Sequence, residues 1–385
     1  VLAMIQDPGF GIYVHWPFCQ TICPYCDFNV HSATDIDDAA WRDGLLADLK
    51  HYAADTPGRT VTSMYFGGGT PSLMPPKTVG AVIDAIGQHW AIADDIEITL
   101  ETNPTSAERK SFQAFRAAGV NRLSVGIQSL DDKALKFLGR DHSGGDGLKA
   151  LADAQRIFDR TTFDLIYALP DQSIDDWQQE LTAALGHAGG HVSLYQLTIE
   201  SGTAFHKADI KGGDPDIAAD MYDLTQDIMA EHGRPAYEVS NHAIPGDESR
   251  HNLCGWRGGD YVGIGPGGHG RITLDGQAFG THQIHNPARW LEKVGEDGNG
   301  TAKRRALSPD DRARELVMMG LRLSEGINTK RFAEVTGIDV HQVIDADAKA
   351  QLIAGQFLSE TSTHLIATKA GRLVLNGLLD RLIVE

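Results

Sequence analysis

Cys19, Cys23 and Cys26 fall within eight residues, Cys19-Gln20-Thr21-Ile22-Cys23-Pro24-Tyr25-Cys26, in the spacing C-x3-C-x2-C. Thiolates so spaced can ligate three irons of a small iron–sulfur cluster, which ordinarily takes four cysteines, one per iron. No fourth cysteine lies nearby, since the remaining one is Cys254. One iron is then left open to a ligand that is not protein. The same donors could instead hold zinc, completed by His15 or His31, or stay as reduced thiols. Zinc sites more often pair two separated C-x2-C knuckles, which a C-x3-C spacing fits poorly.

Other segments have types suited to a small polar ligand. Gly67-Gly68-Gly69-Thr70-Pro71 would let backbone groups approach a ligand with no side chain in the way, although glycine turns also form without ligands. Glu101-Thr102-Asn103-Pro104 and Gln128-Ser129 offer carboxylate, amide and hydroxyl groups. Gly263-Ile264-Gly265-Pro266-Gly267-Gly268 formally matches G-x-G-x-x-G, but proline interrupts it and no clear helix follows, so a dinucleotide site is not expected.

Alternating strands and helices must position these groups. Strands are expected at 12–14, 61–66, 96–100, 123–125, 163–168 and 192–198, and helices at 36–52, 76–89, 106–118, 131–138, 146–158 and 173–185. Thr105 with Glu108 reads as a capping box, and Gly119 as the stop of the same helix. Six β/α units imply an α/β fold with a parallel sheet, either part of a barrel or doubly wound. In both, sites gather at the carboxyl ends of strands, where the cysteine triplet, the glycine run, Glu101 and Gln128 all fall. Beyond 303 the pattern turns helical. Ser308 is an N-cap, Pro309 opens the helix, Asp310-Asp311 favour its positive end, and Leu316, Gly320 and Leu323 share a face. Helices at 329–336, 344–354 and 369–382 and a β segment at 364–367 complete the tail.

The chain has 385 residues, 42% of them hydrophobic, enough for one large domain and a smaller appendage. No apolar run reaches the length of a membrane span, and Val1-Leu2-Ala3-Met4 lacks the flank of a signal peptide, so a soluble, cytoplasmic protein is expected. A formal charge of −18 opposes nucleic acid. Lys303-Arg304-Arg305 could touch an anionic membrane peripherally or an acidic partner, although three charges more often form a solvated linker.

Tyr13-Val14-His15-Trp16-Pro17-Phe18-Cys19, the triplet, Phe66-Gly67-Gly68-Gly69-Thr70-Pro71-Ser72, Glu101-Thr102-Asn103-Pro104, Ser124-Val125-Gly126-Ile127-Gln128-Ser129 and Asp164-Leu165-Ile166-Tyr167-Ala168-Leu169-Pro170 together resemble the radical S-adenosylmethionine (SAM) family. More narrowly, they resemble its branch of oxygen-independent coproporphyrinogen III oxidases and HemW-type haem chaperones. The resemblance implies a partial (β/α)6 barrel with a winged-helix-like tail, divided as 1–240, a connecting region 241–302, and 303–385. It implies a [4Fe-4S] cluster on Cys19, Cys23 and Cys26, with SAM on the fourth iron and a reductant protein to supply electrons. Tyr13, Tyr25, Gly68, Gly69, Thr70, Glu101, Gln128, Arg140 and Asp164 match positions that hold SAM. Glu101 and Asp164 suit an amine or ribose hydroxyls, and Arg140 a carboxylate.

In the oxidases the triplet continues as C-x2-C-x-C, but here Cys26-Asp27 precedes Phe28, and only twelve residues precede Tyr13 where the oxidases carry an extension. Both differences point to the chaperones, which implies haem binding and delivery to haem-requiring respiratory proteins. Oxidative decarboxylation of a porphyrinogen, or methyl transfer, is the alternative. The chaperone pattern H-N-x-x-Y-W is met by His251-Asn252-Leu253-Cys254-Gly255-Trp256, with Gly255 in place of tyrosine. It implies His251 as the haem ligand; beside it Trp256 could pack on a porphyrin edge, Cys254 could be an alternative thiolate, and His269, in the following glycine loop, could face the same pocket. For Cys254 a buried, inert thiol is the plainer reading.

Overall fold

Phe10–Trp16 (β1) is an almost unbroken run of buried residues, the pattern of a strand covered on both faces in a parallel sheet. The computed structural model describes residues 7–32 and 36–383, so Val1-Leu2-Ala3-Met4 lies outside them. From β1 the parallel strands run through Thr60–Gly68 (β2), Ala91–Thr102 (β3), Arg122–Gln128 (β4), Arg160–Tyr167 (β5) and His191–Gln196 (β6). These are the six strands the alternation implies. Intervening helices include Asp38–Asp55, Pro76–His89, Gly144–Ile157 and Ile174–Leu185. The expected helix at 106–118 is divided into Ser106–Arg109 and Phe112–Ala117. Its first turn is held at the end of β3 by Glu108, and its second part is sunk in the core by Phe112 and Phe115.

Asn241–Ala243 (β7) adds antiparallel to β6. Asp260–Ile264 (β8) then returns to the other side of β1 and pairs parallel with it, Tyr13 opposite Gly263, as a seventh parallel strand that the local sequence pattern does not announce. His269–Leu274 (β9), Gln277–Gln283 (β10) and Thr301–Ala306 (β11) follow as antiparallel neighbours. Among the described residues the sheet has eleven strands in the order β11-β10-β9-β8-β1-β2-β3-β4-β5-β6-β7. Segment 241–302, read as a connecting region, therefore supplies part of the same sheet. The glycine run after β8 has a mechanical explanation. Gly265 and Gly267 have φ of +85° and +82°, and a Cβ at Gly267 would fall 2.4 Å from Asn29 Nδ2, so the turn lies against the cysteine loop.

Lys303, Arg304 and Arg305 sit on β11, at an edge of the sheet. Arg304 pairs with Asp55 at 2.9 Å, and charge along an edge strand discourages pairing with other chains. The tail has its own core, which includes Leu316, Val317, Phe332, Leu365 and Leu378. Ser308 caps Pro309–Gly320 by accepting from Asp311 N at 3.0 Å. Ile327–Asn328, His364–Ala367 and Leu358–Glu360 form a small antiparallel sheet beside helices Thr329–Thr336 and Ala346–Ala354. Lys369–Leu373 and Leu375–Leu382 close the chain where one helix was expected. No helix of the described residues is long and apolar enough to cross a membrane.

Candidate cluster site and adjoining cavity

The loop after β1 is fixed by a short pairing of Phe18–Cys19 with His31–Ser32, and Cys26 N donates to Cys23 O at 3.1 Å. All three thiols are free; Cys19 is buried, Cys23 and Cys26 half-buried. Burial pushes the Cys19 thiol up, and the Cys26 thiol up to about 11, so without a metal both are protonated at neutral pH. A coordinated metal would deprotonate them outright.

The triplet faces a cavity of about 160 Å³ walled by the carboxyl ends of β2 to β5. Of the residues read as SAM contacts, Tyr25, Gly68, Gly69, Thr70, Glu101, Gln128, Arg140 and Asp164 line it. Tyr13 does not; it lies in the wall of the neighbouring cavity, its hydroxyl 2.9 Å from His15 Nδ1. A hydrogen-bonded chain ties the cavity to the cysteines. Thr70 Oγ1 donates to Cys19 Sγ at 3.5 Å, Asn103 Nδ2 to Thr70 Oγ1 at 3.2 Å, and Arg140 Nη2 to Asn103 Oδ1 at 2.6 Å. Arg140 Nη1 reaches Cys23 Sγ at 3.2 Å. Sequence reasoning named Asn103 within a motif but gave it no role. Glu108 was read only as half of a capping box. Thr105 does cap the helix, but the Glu108 carboxylate turns inward to accept from Thr102 Oγ1 at 3.0 Å and Asn103 N at 2.8 Å, holding that loop.

Glu101, at the end of β3, and Asp164, within β5, face the cavity and are enclosed by protein on their other sides. Burial pushes each carboxyl up to about 7, and repulsion from Asp164 adds to the rise at Glu101. Tyr65, which no motif singled out, donates to Glu101 Oε1 at 2.7 Å and works the other way. Such a pair suits a ligand that brings positive charge. Gln128 ends β4 at a φ of +72°, a strained conformation for a residue with a side chain, on the cavity rim.

Gly68, Phe28 and Glu101 also line a second cavity, of about 720 Å³, so the two spaces adjoin. Its wall carries His251, Gly255, Trp256 and His269. His251 is on helix Arg250–Trp256, whose first amides are held by Glu97: Arg250 N donates to Glu97 Oε1 at 2.9 Å and His251 N at 3.5 Å. The His251 ring stacks on Tyr65, centroids 5.1 Å apart, and on Tyr13 at 6.0 Å. Its Nδ1 lies 3.4 Å from Ser63 Oγ, while among the described residues Nε2 has no hydrogen-bond partner. Burial lowers its pKa to about 4, so the ring is neutral at physiological pH. Arg322 covers a face of Trp256 at 4.5 Å, leaving less of that ring to meet a ligand. Cys254 points away from the cavity toward Asp260 O at 3.4 Å, and burial pushes it up to about 12, which suits an inert thiol rather than a haem ligand.

Residues 13–184 match the Radical SAM superfamily, and 307–374 match the HemN C-terminal domain. The Escherichia coli protein named heme chaperone HemW is 34% identical over 385 residues, covering 99% of this chain and 100% of the relative. A bovine protein named radical S-adenosyl methionine domain-containing protein 1, mitochondrial, is 42% identical, covering 86% of this chain and 78% of its own. The solved structure of the Escherichia coli coproporphyrinogen III oxidase HemN shares the fold, with a TM-score of 0.81, 21% identity, and coverage of 97% and 90% of the two chains. The chain belongs to the radical SAM superfamily, in the coproporphyrinogen oxidase-like branch and among the HemW-type proteins.

Proposed function

We propose that this chain is a cytoplasmic haem chaperone that retains the cluster and SAM equipment of its superfamily. The observation that carries the reading is the neutral His251 ring, with Nε2 free of protein partners among the described residues, in the wall of a 720 Å³ cavity that adjoins the cysteine site. When Nδ1 donates to Ser63 Oγ, the Nε2 lone pair is available to haem iron, an arrangement in which the second nitrogen fixes the tautomer of the first. A cavity of this volume also suits a large, mostly apolar ligand. Relatives named heme chaperone, aligned along nearly the whole chain, point the same way.

The residues fit the implied cofactors. A Cβ at Gly69 would come within 3.0 Å of Cys19 Sγ, so the strand end passes close behind the thiols. Arg140 Nε is buried with no partner among the described residues, and the raised carboxyls of Glu101 and Asp164 await a cation. Cys19, Cys23 and Cys26 would hold the cluster. Gly68, Gly69, Thr70, Gln128, Arg140 and Tyr25 would surround SAM, with Glu101 and Asp164 taking its amine and ribose and Tyr13 contributing from the adjoining wall. A [4Fe-4S] cluster and SAM, when bound and supplied with an electron by a reductant protein, provide one-electron reductive cleavage of SAM. Haem would pass onward to respiratory haem proteins, with at most peripheral contact at the membrane.

The test is anaerobic haem titration of cluster-reconstituted protein, wild type and His251→Ala, with decarboxylation of coproporphyrinogen III assayed in parallel. One haem per chain, weakened about tenfold or more in the variant, is expected, because loss of an axial ligand removes a coordinate bond. Equal binding by the variant would remove His251 as the ligand and overturn the reading, and rapid turnover of the porphyrinogen would replace it with that of an oxidase.

A further inference from the structure

We propose that His269, His282 and His285 form a binding site for one divalent transition-metal ion of the zinc type, at the wall of the large cavity. Each ring offers a nitrogen, and the three nitrogens lie within 4.8 Å of one another. The grouping follows from the sheet. His269 and His282 are directly opposed in the antiparallel pair β9 and β10, which brings their side chains together on one face, and their ring centroids are 3.9 Å apart. His285 follows just beyond the end of β10, with its ring centroid 6.2 Å from that of His269. Its backbone is pinned, because Asn29 Nδ2 donates to His285 O at 2.9 Å and to Pro266 O at 3.0 Å.

The chemistry is that of a ligand set at the cavity mouth, with His269 and His285 exposed and His282 half-buried. Among the described residues, none of the six ring nitrogens has a hydrogen-bond or ion-pair partner. His15, close by, is the contrast: Nδ1 meets Tyr13 OH at 2.9 Å and Nε2 meets Asn29 O at 3.0 Å, so both its nitrogens are occupied and it is no candidate. Zinc binds imidazole nitrogen at about 2.0–2.1 Å, which places three nitrogens of a tetrahedral set roughly 3.4 Å apart. From 4.8 Å or less, small side-chain rotations close that gap. Imidazole nitrogens suit zinc, nickel or copper better than magnesium or calcium, which prefer oxygen. His269 and His285 line the cavity, so the fourth position of the ion would be reached from it, by water or by a carboxylate of whatever the cavity holds.

The probe is zinc alone, titrated calorimetrically into tag-free, cluster-loaded, full-length protein, so that Cys19, Cys23 and Cys26 are already occupied. One zinc per chain is expected, weakened about tenfold or more by His282→Ala and by His285→Ala, and unchanged by Cys254→Ser, with a zinc-edge absorption spectrum of imidazole nitrogen at about 2.0 Å. His282→Asn serves as the second variant, and the visible spectrum of the cluster confirms that each protein is folded. Absence of stoichiometric uptake by the wild type, binding undiminished in folded histidine variants, or a sulfur-dominated spectrum would overturn the assignment.

Discussion

Arg140 Nη1 lies 3.2 Å from Cys23 Sγ while Nη2 of the same guanidinium donates to Asn103 Oδ1 at 2.6 Å, so one cation joins the cysteine loop to the end of β3. A fixed positive charge beside a cluster sulfur favours the reduced, more negative state of the cluster. Arg140→Gln is predicted to keep its iron but to lower the cluster's reduction potential. Loss of charge-assisted hydrogen bonds should also weaken SAM binding about tenfold or more. Potentiometric titration and SAM binding check this together; a variant with wild-type potential and affinity would show that Arg140 only braces the loop.

Glu101 and Asp164 are predicted to make ligand binding depend on pH. Each has its carboxyl pushed up to about 7 by burial, so near pH 6 both are largely protonated in the ligand-free protein. An ammonium or sulfonium favours the carboxylate forms, so binding releases protons, and SAM affinity should rise from about pH 5.5 to about 7.5 and then level off. Folding stability runs the other way. The unfolded carboxyls lose their protons near the ordinary value, so the contribution of this pair to ligand-free stability is present in acid and is lost as pH rises through about 7. Calorimetry in buffers of different ionisation enthalpy tests the first point; a heat independent of buffer, with affinity flat across that window, would contradict it.

The strands that carry these groups were legible because a parallel sheet buries both faces, which leaves runs such as Ile12-Tyr13-Val14 and Leu123-Ser124-Val125 between turn residues. β8 was not. It is a short strand set among glycines, and its pairing of Asp260 with Phe10 joins distant parts of the chain, a contact that no local pattern encodes. Of the residues the motifs marked, those from the ends of β2 to β5 gather on the smaller cavity, whereas Tyr13 lies in the neighbouring wall, a placement set by how β1 and β2 are staggered. Tyr65, Glu97 and Asp48 were missed for a common reason. Each looks like an ordinary strand or helix residue until the fold sets it beside a partner. Asp48, fully buried, accepts from Gly265 N and Gly300 N, both at 3.2 Å, and so holds the turn after β8.

Gly255 leaves room where the related pattern has tyrosine. A Cβ there would meet nothing within 4 Å, and the residue lines the large cavity one position before Trp256. Gly255→Tyr should therefore fold, with the helix gaining up to about 0.5 kcal/mol from a better propensity. The ring would project toward the His251 side of the cavity, add an aromatic contact to a bound porphyrin, and tighten haem binding several-fold. Haem titration of the variant decides the matter. Unchanged affinity would mean that the ligand does not occupy this side of the cavity.

Gly69 lies where the glycine run packs against the strand that leads into Cys19. Its amide donates to Trp16 O at 2.7 Å, and the next amide, of Thr70, donates to Phe18 O at 2.9 Å, so the glycine run is laced to the strand that leads into the cysteines. A methyl group at Gly69 would sit 2.8 Å from Phe18 O and 3.0 Å from Cys19 Sγ. The first obstacle is backbone, so no rotation of a side chain relieves it; the loop must move and take Cys19 with it. Gly69→Ala is expected to cost about 1–3 kcal/mol by overpacking and to lose at least half of the iron taken up on anaerobic reconstitution. Gly80→Ala, inside helix Pro76–His89 with its nearest neighbour at 3.6 Å, is the control and should leave iron uptake unchanged while gaining helix propensity. Thermal unfolding separates the two effects. A Gly69→Ala protein that is destabilised yet fills with iron as the wild type does would show that Cys19 can move without loss of the site, and that the metal centre itself makes no demand for glycine at this position.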